Sequence, residues 1–191
     1  AHTGDAKDAR DALRAHNDSP RVTLAHLPGL SAASTGQTSF SPIGEVLEAG
    51  NPADVRGVYQ GQVRVQDEGS QLAALALSRY APLTSDDTIL DMCAGPGGKT
   101  AVLAADALQG GARVIAWEKL AHRAALVTDS VRSISAKNPH TVSVVTGDAL
   151  ELAAPQGGIT RVLLDAPCSG IGALRRRPES RWRKNPADIP E

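Results

Sequence analysis

The sequence has 191 residues, 41% of them hydrophobic, and a formal net charge of −1 at neutral pH, which leaves room for one ordinary domain or a small domain with part of another. Aromatic residues make up only 3%, so the core must be built from Ala, Leu and Val. No apolar run approaches a membrane span and the start carries no secretory signal, while two separated cysteines, Cys93 and Cys168, make neither a disulfide framework nor a metal cluster; no metal, no membrane and a reducing, cytoplasmic setting are expected.

From the start, Asp5–Ala15 is charged, alanine-rich and helical in character, and Asn17-Asp18-Ser19-Pro20 breaks it. Residues 21–25 give a short strand signal that Pro28-Gly29 ends, and the Ser/Thr/Gly-rich stretch 31–41 reads as a loop. Ile43–Leu47 and Val58–Val65 are further strands or turns, so residues 1–60 read as an incomplete small α+β region. Asp67–Tyr80 predicts an amphipathic helix, with Leu72, Leu75, Ala76 and, less ideally, Arg79 on its apolar face.

A regular alternation follows. Strands are expected at 88–91, 113–117, 141–146 and 161–164, with helices over 100–108 and 121–133 between the first three. Strands that alternate with helical segments argue for a parallel, doubly wound sheet. Each strand ends in or leads to an acid: Asp91, Glu118, Asp148 and Asp165. In such sheets the ligand lies beyond the carboxyl ends of the strands, so these acids are expected to face one cleft.

The stretch Asp91-Met92-Cys93-Ala94-Gly95-Pro96-Gly97-Gly98-Lys99-Thr100 is a strand, a tight glycine turn and a helix start. Gly98-Lys99-Thr100 supplies the second half of a triphosphate-cradling P-loop, but the first glycine of that pattern would be Cys93. The dinucleotide pattern fails as well, because Lys99 and Thr100 follow where a third glycine is needed. What remains is a loop that wraps S-adenosylmethionine. Glu118, about 20 residues beyond it, is placed to accept ribose hydroxyls, and Asp148 to reach the adenine amino group or orient the adjacent loop.

Near the end, residues 175–184 read RRRPESRWRK, six basic residues against the single acid Glu179 and with one Trp. Such a cluster suits a phosphate backbone and a stackable base. Just before it, Asp165-Ala166-Pro167-Cys168-Ser169-Gly170 closes the last strand. Together with the glycine loop, this stretch resembles the Sun/Fmu (Nop/Sun) family of RNA cytosine-carbon-5 methyltransferases, in particular the bacterial 16S ribosomal RNA branch. Val65-Gln66-Asp67 with Ser70-Gln71, Glu118 with Arg123, Gly147-Asp148, and Arg175-Arg176 through Pro178 to Trp182 support the match.

The resemblance implies a class I (Rossmann-like) S-adenosylmethionine-dependent methyltransferase fold with a partial parallel sheet over residues 61–191. It implies an RRM-like RNA-binding or linker region over 1–60. Cys93, Ala94, Gly95, Pro96, Gly97, Gly98, Lys99, Glu118, Arg123, Asp148 and Asp165 would hold S-adenosyl-L-methionine. Asp165 would hydrogen-bond the cytosine, Lys99 would support the target or the neighbouring loop, and Arg175, Arg176, Arg181 and Lys184 would hold RNA, with 16S ribosomal RNA as the substrate. In this family a cysteine thiolate from a later Thr-Cys-Ser motif adds to carbon 6 of the base, which makes carbon 5 nucleophilic. The cysteine after Asp-Ala-Pro, here Cys168, assists release of the product.

No Thr-Cys-Ser occurs in these 191 residues, and the resemblance implies three further strands. The chain therefore reads as a truncated member, one that leaves Val162-Leu163-Leu164 as an apolar edge prone to self-association. Two other readings stay open: a non-catalytic RNA-binding module on a degenerate methyltransferase fold, and a P-loop-like nucleotide hydrolase.

Overall fold

The structure is a computed structural model that describes residues 6–15, 17, 20–32, 38–152, 158–168, 170, 176 and 178–183. The chain divides into two compact units, one of residues 1–21 with 167–191 and the other running from Val22 to Ala166, across position 60. Within the first, the described elements are helix α1 (Ala6–Ala15) and the short helix α7 (Ser180–Arg183).

The larger unit holds two sheets. Strands β1 (Val22–His26), β2 (Gly44–Leu47) and β3 (Val63–Val65) form an antiparallel sheet in the order β2-β1-β3. The stretch expected as a strand or turn over 58–65 begins instead as the end of a one-turn helix, α2 (Arg56–Tyr59), and becomes strand only at Val63. Strands β4 (Thr88–Asp91), β5 (Arg113–Glu118), β6 (Val142–Thr146) and β7 (Arg161–Leu163) form a parallel sheet in the order β6-β5-β4-β7. All four residues of β4 are buried, as a central strand covered on both faces requires. At the edge, Val162 and Leu164 are exposed while Leu163 packs on the core.

Helix α3 (Glu68–Arg79) turns a different face inward from the one expected. Gln71, Ala74, Leu75 and Ser78 are buried, while Ala76 and Arg79 are exposed and Leu72 lies between. The reason is polar. The Gln71 amide donates to the carbonyls of Leu24 (3.2 Å) and Gln66 (2.9 Å), and its oxygen accepts from Ser41 Oγ (2.6 Å). A buried side chain with its donors and acceptor engaged costs little to desolvate, so Gln71 can face inward and staple α3 to β1.

Helix α4 (Gly98–Gly110) starts two residues before the expected position and ends at Gly111, whose φ of 76° suits glycine. Its inner side is mostly alanine, which lets it pack closely against α3 and the sheet, burying Ala101, Ala104, Ala105 and Ala107. The helix expected over 121–133 is two: α5 (Ala121–Ser130) and α6 (Arg132–Ser135), broken at Val131 (φ −105°, ψ 5°). The break brings both Val131 and Ile134 into the main core and leaves Ser130 on the glycine loop.

Arg161, at the start of β7, is almost fully buried and ties that strand to the far end of α3. Its Nη1 donates to the carbonyls of Leu77, Ser78 and Ala81 (3.1, 3.0 and 3.1 Å) and Nη2 to that of Pro82 (3.2 Å). The guanidinium also lies 4.5 Å from the centroid of the Tyr80 ring, within cation–π range.

Candidate active site

The glycine loop hangs between the ends of β4 and β5. Ala94 N–H donates to the carbonyl of Trp117 (3.0 Å), and Gly97 N–H to that of Ala94 (2.7 Å). Gly95 N–H donates to Glu118 Oε2 (2.9 Å), and Arg123 Nη2 donates to the Gly95 carbonyl. The Gly95–Pro96 peptide is cis. Two positions require glycine. A Cβ on Gly95 would collide with Glu118 Oε2 and Arg123, and Gly97 has φ +100° with the Ser130 side chain where its Cβ would stand. Ser130 Oγ donates to the Gly97 carbonyl (3.1 Å), so α5 braces the loop from behind.

The acids at the strand ends differ in their work. Asp91 is buried and accepts from Thr100 Oγ1 (2.7 Å), while its Oδ1 has no partner. Burial raises its pKa above the ordinary carboxylate range, with Thr100 opposing. Glu118 is also buried, and its Oε1 accepts from Leu120 N–H (3.0 Å). Asp165 is half exposed and pairs with Lys99 Nζ at 2.6 Å. Lys99 donates a second bond to Ser70 Oγ (3.3 Å) on the first turn of α3.

Cys93 lies among these groups, partly buried. Burial pushes its thiol up, and the charges of Glu118, Asp91 and Asp165 push the same way. Asp148 has another task. It accepts from Leu150 N–H (3.0 Å) as the cap of the short turn 149–151, and its other oxygen pairs with Lys119 Nζ (2.6 Å). The Lys119 hydrogen bond holds its carboxyl below the usual range.

Glu118, Asp91 and Asp165 all push the Cys93 thiol up, whereas Asp148 is engaged by Lys119 and by Leu150 N–H. Ala94 is buried, Pro96 exposed and Gly98 half-buried at the first position of α4. Cys168 is exposed and belongs to the other unit. Arg176 is exposed. Arg181 sits in α7 with its side chain outside the described residues, as are Arg175 and Lys184 altogether. The supporting roles of Ser70, Thr100 and Ser130 were not legible as site chemistry. Thr100 had a local signal, a hydroxyl in the first turn of a helix that follows an acidic strand end, whereas Ser130 reaches the loop only through the tertiary packing of α5.

The hydrolase alternative meets a physical obstacle at Thr100. In a P-loop this hydroxyl faces the metal, but here it is fully buried and bound to Asp91. Among the described residues no group of three or more His, Cys, Asp or Glu could hold a metal ion, and no helix is long and apolar enough to cross a membrane.

A parallel sheet of this order, with a glycine loop after β4 and a buried acid ending β5, defines a class I S-adenosylmethionine-dependent methyltransferase fold. Residues 80–191 match the family of 16S rRNA methyltransferases RsmB/F, and the chain belongs to that family. A Mycobacterium tuberculosis protein, Rv1407, is 46% identical over 185 residues, covering 93% of this chain and 39% of its own length. The ribosomal RNA small subunit methyltransferase B of Sodalis glossinidius is 36% identical over 172 residues, 87% of this chain and 37% of the relative. The chain therefore spans about two fifths of the length of these relatives. The crystal structure of PH0851 superposes with a TM-score of 0.79 at 23% identity, over 96% of this chain and 43% of that one, which shows the shared fold.

Proposed function

We propose that this chain carries the methyl-donor and target-base portion of an RNA (cytosine-5)-methyltransferase that acts on 16S ribosomal RNA in the cytoplasm. The observation that carries the reading is the placement of the Lys99–Asp165 pair directly beyond the Gly95–Gly98 loop, so that a base-recognition pair adjoins a donor cradle. The donor set suits S-adenosyl-L-methionine. Gly95 and Gly97 let Glu118, Arg123 and Ser130 close directly on the loop backbone, Glu118 ends the second strand of the parallel sheet, and Asp91 Oδ1 has no hydrogen-bond partner.

When bound, S-adenosylmethionine supplies an electrophilic methyl group carried on a sulfonium. Glu118 would accept the ribose hydroxyls and Gly95–Gly98 would let the backbone come close, with Cys93, Ala94, Pro96 and Arg123 holding the loop's shape. Asp148, capped onto its own turn, orients the loop that borders the adenine. Asp165 would hydrogen-bond the cytosine ring and favour its protonated, electrophilic form, and Lys99 would support the target base or the neighbouring loop.

Cys93 is a poor nucleophile at neutral pH, because burial and three carboxylates keep its thiol protonated. The reading takes the attacking thiolate from a later Thr-Cys-Ser segment of the family's kind and gives the exposed Cys168 the release role. Arg175, Arg176, Arg181 and Lys184 would track the RNA phosphates, and the target base would be unstacked to enter the pocket.

Calorimetry with S-adenosylmethionine and with ATP, followed by methyl transfer to 16S RNA, tests the proposal. Saturable binding of the methyl donor and none of ATP is expected. Binding of ATP without the methyl donor, or methyl transfer by the intact enzyme that survives Asp165→Ala unchanged, would overturn it.

A further inference from the structure

We propose that Ser70 is a positioning residue, a second anchor that holds the Lys99 ammonium in place when Asp165 turns to the target pyrimidine. The inference rests on the roles given above to Lys99 and Asp165. An ammonium has three donors and no acceptor, and here one goes to Asp165 Oδ2 at 2.6 Å and another to Ser70 Oγ at 3.3 Å.

The two anchors differ in how firmly they are held. Asp165 lies beyond the end of β7 with its side chain 55% exposed, so its carboxylate can exchange partners when a base arrives. Ser70 cannot move away in the same manner. It sits on α3, whose neighbouring Gln71 is bonded to β1 and to the Gln66 carbonyl, and whose far end is clasped by Arg161. The N-cap of α3 is Asp67, so the Ser70 hydroxyl is not committed to capping the helix.

A lysine freed of its ion pair regains the rotamer freedom of a four-carbon stem. The Ser70 hydroxyl limits that freedom at the moment the carboxylate is used elsewhere. Lys99 Nζ therefore stays over the site as a fixed positive charge through base entry, instead of following Asp165 or swinging into solvent.

The test is amine labelling of the protein read by mass spectrometry, with the 68% exposed Lys119 as internal reference. The variants are Ser70→Ala and Ser70→Thr, each alone and combined with Asp165→Asn, with circular dichroism to check that α3 stays folded. In the Asp165→Asn background, Ser70→Ala should raise the Lys99 labelling rate about fivefold, the effect of one hydrogen bond, and Ser70→Thr should restore it. With Asp165 intact the effect should be smaller. Equal Lys99 labelling in Asp165→Asn and in the Asp165→Asn/Ser70→Ala double variant would overturn the inference.

In methyl transfer by the intact enzyme, Ser70→Ala should lower kcat with little change in the KM for RNA, and Ser70→Thr should rescue it. If labelling follows Ser70 while Lys99→Met leaves methyl transfer unchanged, the anchor stands and the catalytic role given to Lys99 falls. If methyl transfer falls without any change in labelling, the anchor falls.

Discussion

Replacing Arg161 by methionine should be among the most damaging single changes outside the loop itself. The methionine keeps an unbranched apolar stem but removes the bonds to Leu77, Ser78, Ala81 and Pro82. These carbonyls end α3 and begin the connection to β4, where a helix has no donors of its own. A hydrogen bond to a charged donor contributes about 1.5–3 kcal/mol, and simple addition over four would overstate the loss. Relief from burying the guanidinium offsets part of it, and Asp87, 3.6 Å from Nε, keeps its bonds from Thr84 N–H and Thr160 Oγ1. Breaking a buried charged network by removing one partner costs about 3–5 kcal/mol, which is the expected loss here. In a domain of this size that corresponds to a fall in Tm of about 10 °C. Urea unfolding followed by circular dichroism, at unchanged m-value, measures it. Arg79→Ala, which breaks the more exposed pair with Asp106, is the control and should cost no more than about 1 kcal/mol. If Arg161→Met proves as mild as this control, Arg161 does not clasp α3 to β7.

Other changes test the loop and its surroundings. Gly97→Ala forces a side chain into positive φ and against Ser130, so it should cost about 2–4 kcal/mol and abolish binding of the methyl donor in calorimetry. Asp91 has a raised folded pKa, so stability present at acidic pH is lost as the pH rises through that value. Asp91→Asn should therefore melt progressively higher relative to the parent as the pH is taken from acid to neutral, and a gap independent of pH would refute the assignment. Alkylation at neutral pH should modify the exposed Cys168 well before Cys93, whose thiol is pushed up, with Cys93 catching up only under alkaline conditions. The chain by itself should self-associate through β7, where Val162 and Leu164 are exposed. Val162→Lys should shift the light-scattering mass toward monomer, and a parent already monodisperse at monomer mass would sink the idea.

Much of the parallel sheet was legible because its signals are local. Thr88–Asp91 and Arg113–Trp117 are short apolar runs with turn residues on both sides, and the observed strands differ from them by at most one residue. The face of α3 was not legible, because hydrophobicity alone cannot anticipate that Gln71 will find three partners, on Leu24, Gln66 and Ser41, and so prefer the inside. The break at Val131 escaped for a related reason, since it satisfies contacts with the core and the glycine loop that lie far away in sequence. At the site, residue types and spacing pointed to Glu118, Lys99 and Asp165. Asp148 follows a glycine at a strand end, a setting that also suits a turn or cap, and it caps the turn 149–151 and pairs with Lys119.

The bonds of Glu118 have a thermodynamic consequence for ligand capture. One of its oxygens already receives Gly95 N–H and the other Leu120 N–H, while Arg123 holds the Gly95 carbonyl and Ser130 the Gly97 carbonyl. The loop is therefore ordered by its own protein before anything binds, and each carboxylate oxygen keeps a second lone pair for an incoming hydroxyl. A small molecule that enters such a mould gives up its own freedom but requires little ordering of the host. Its affinity then reflects contact quality rather than the cost of shaping the loop, and its arrival should be a single kinetic step whose rate grows linearly with concentration.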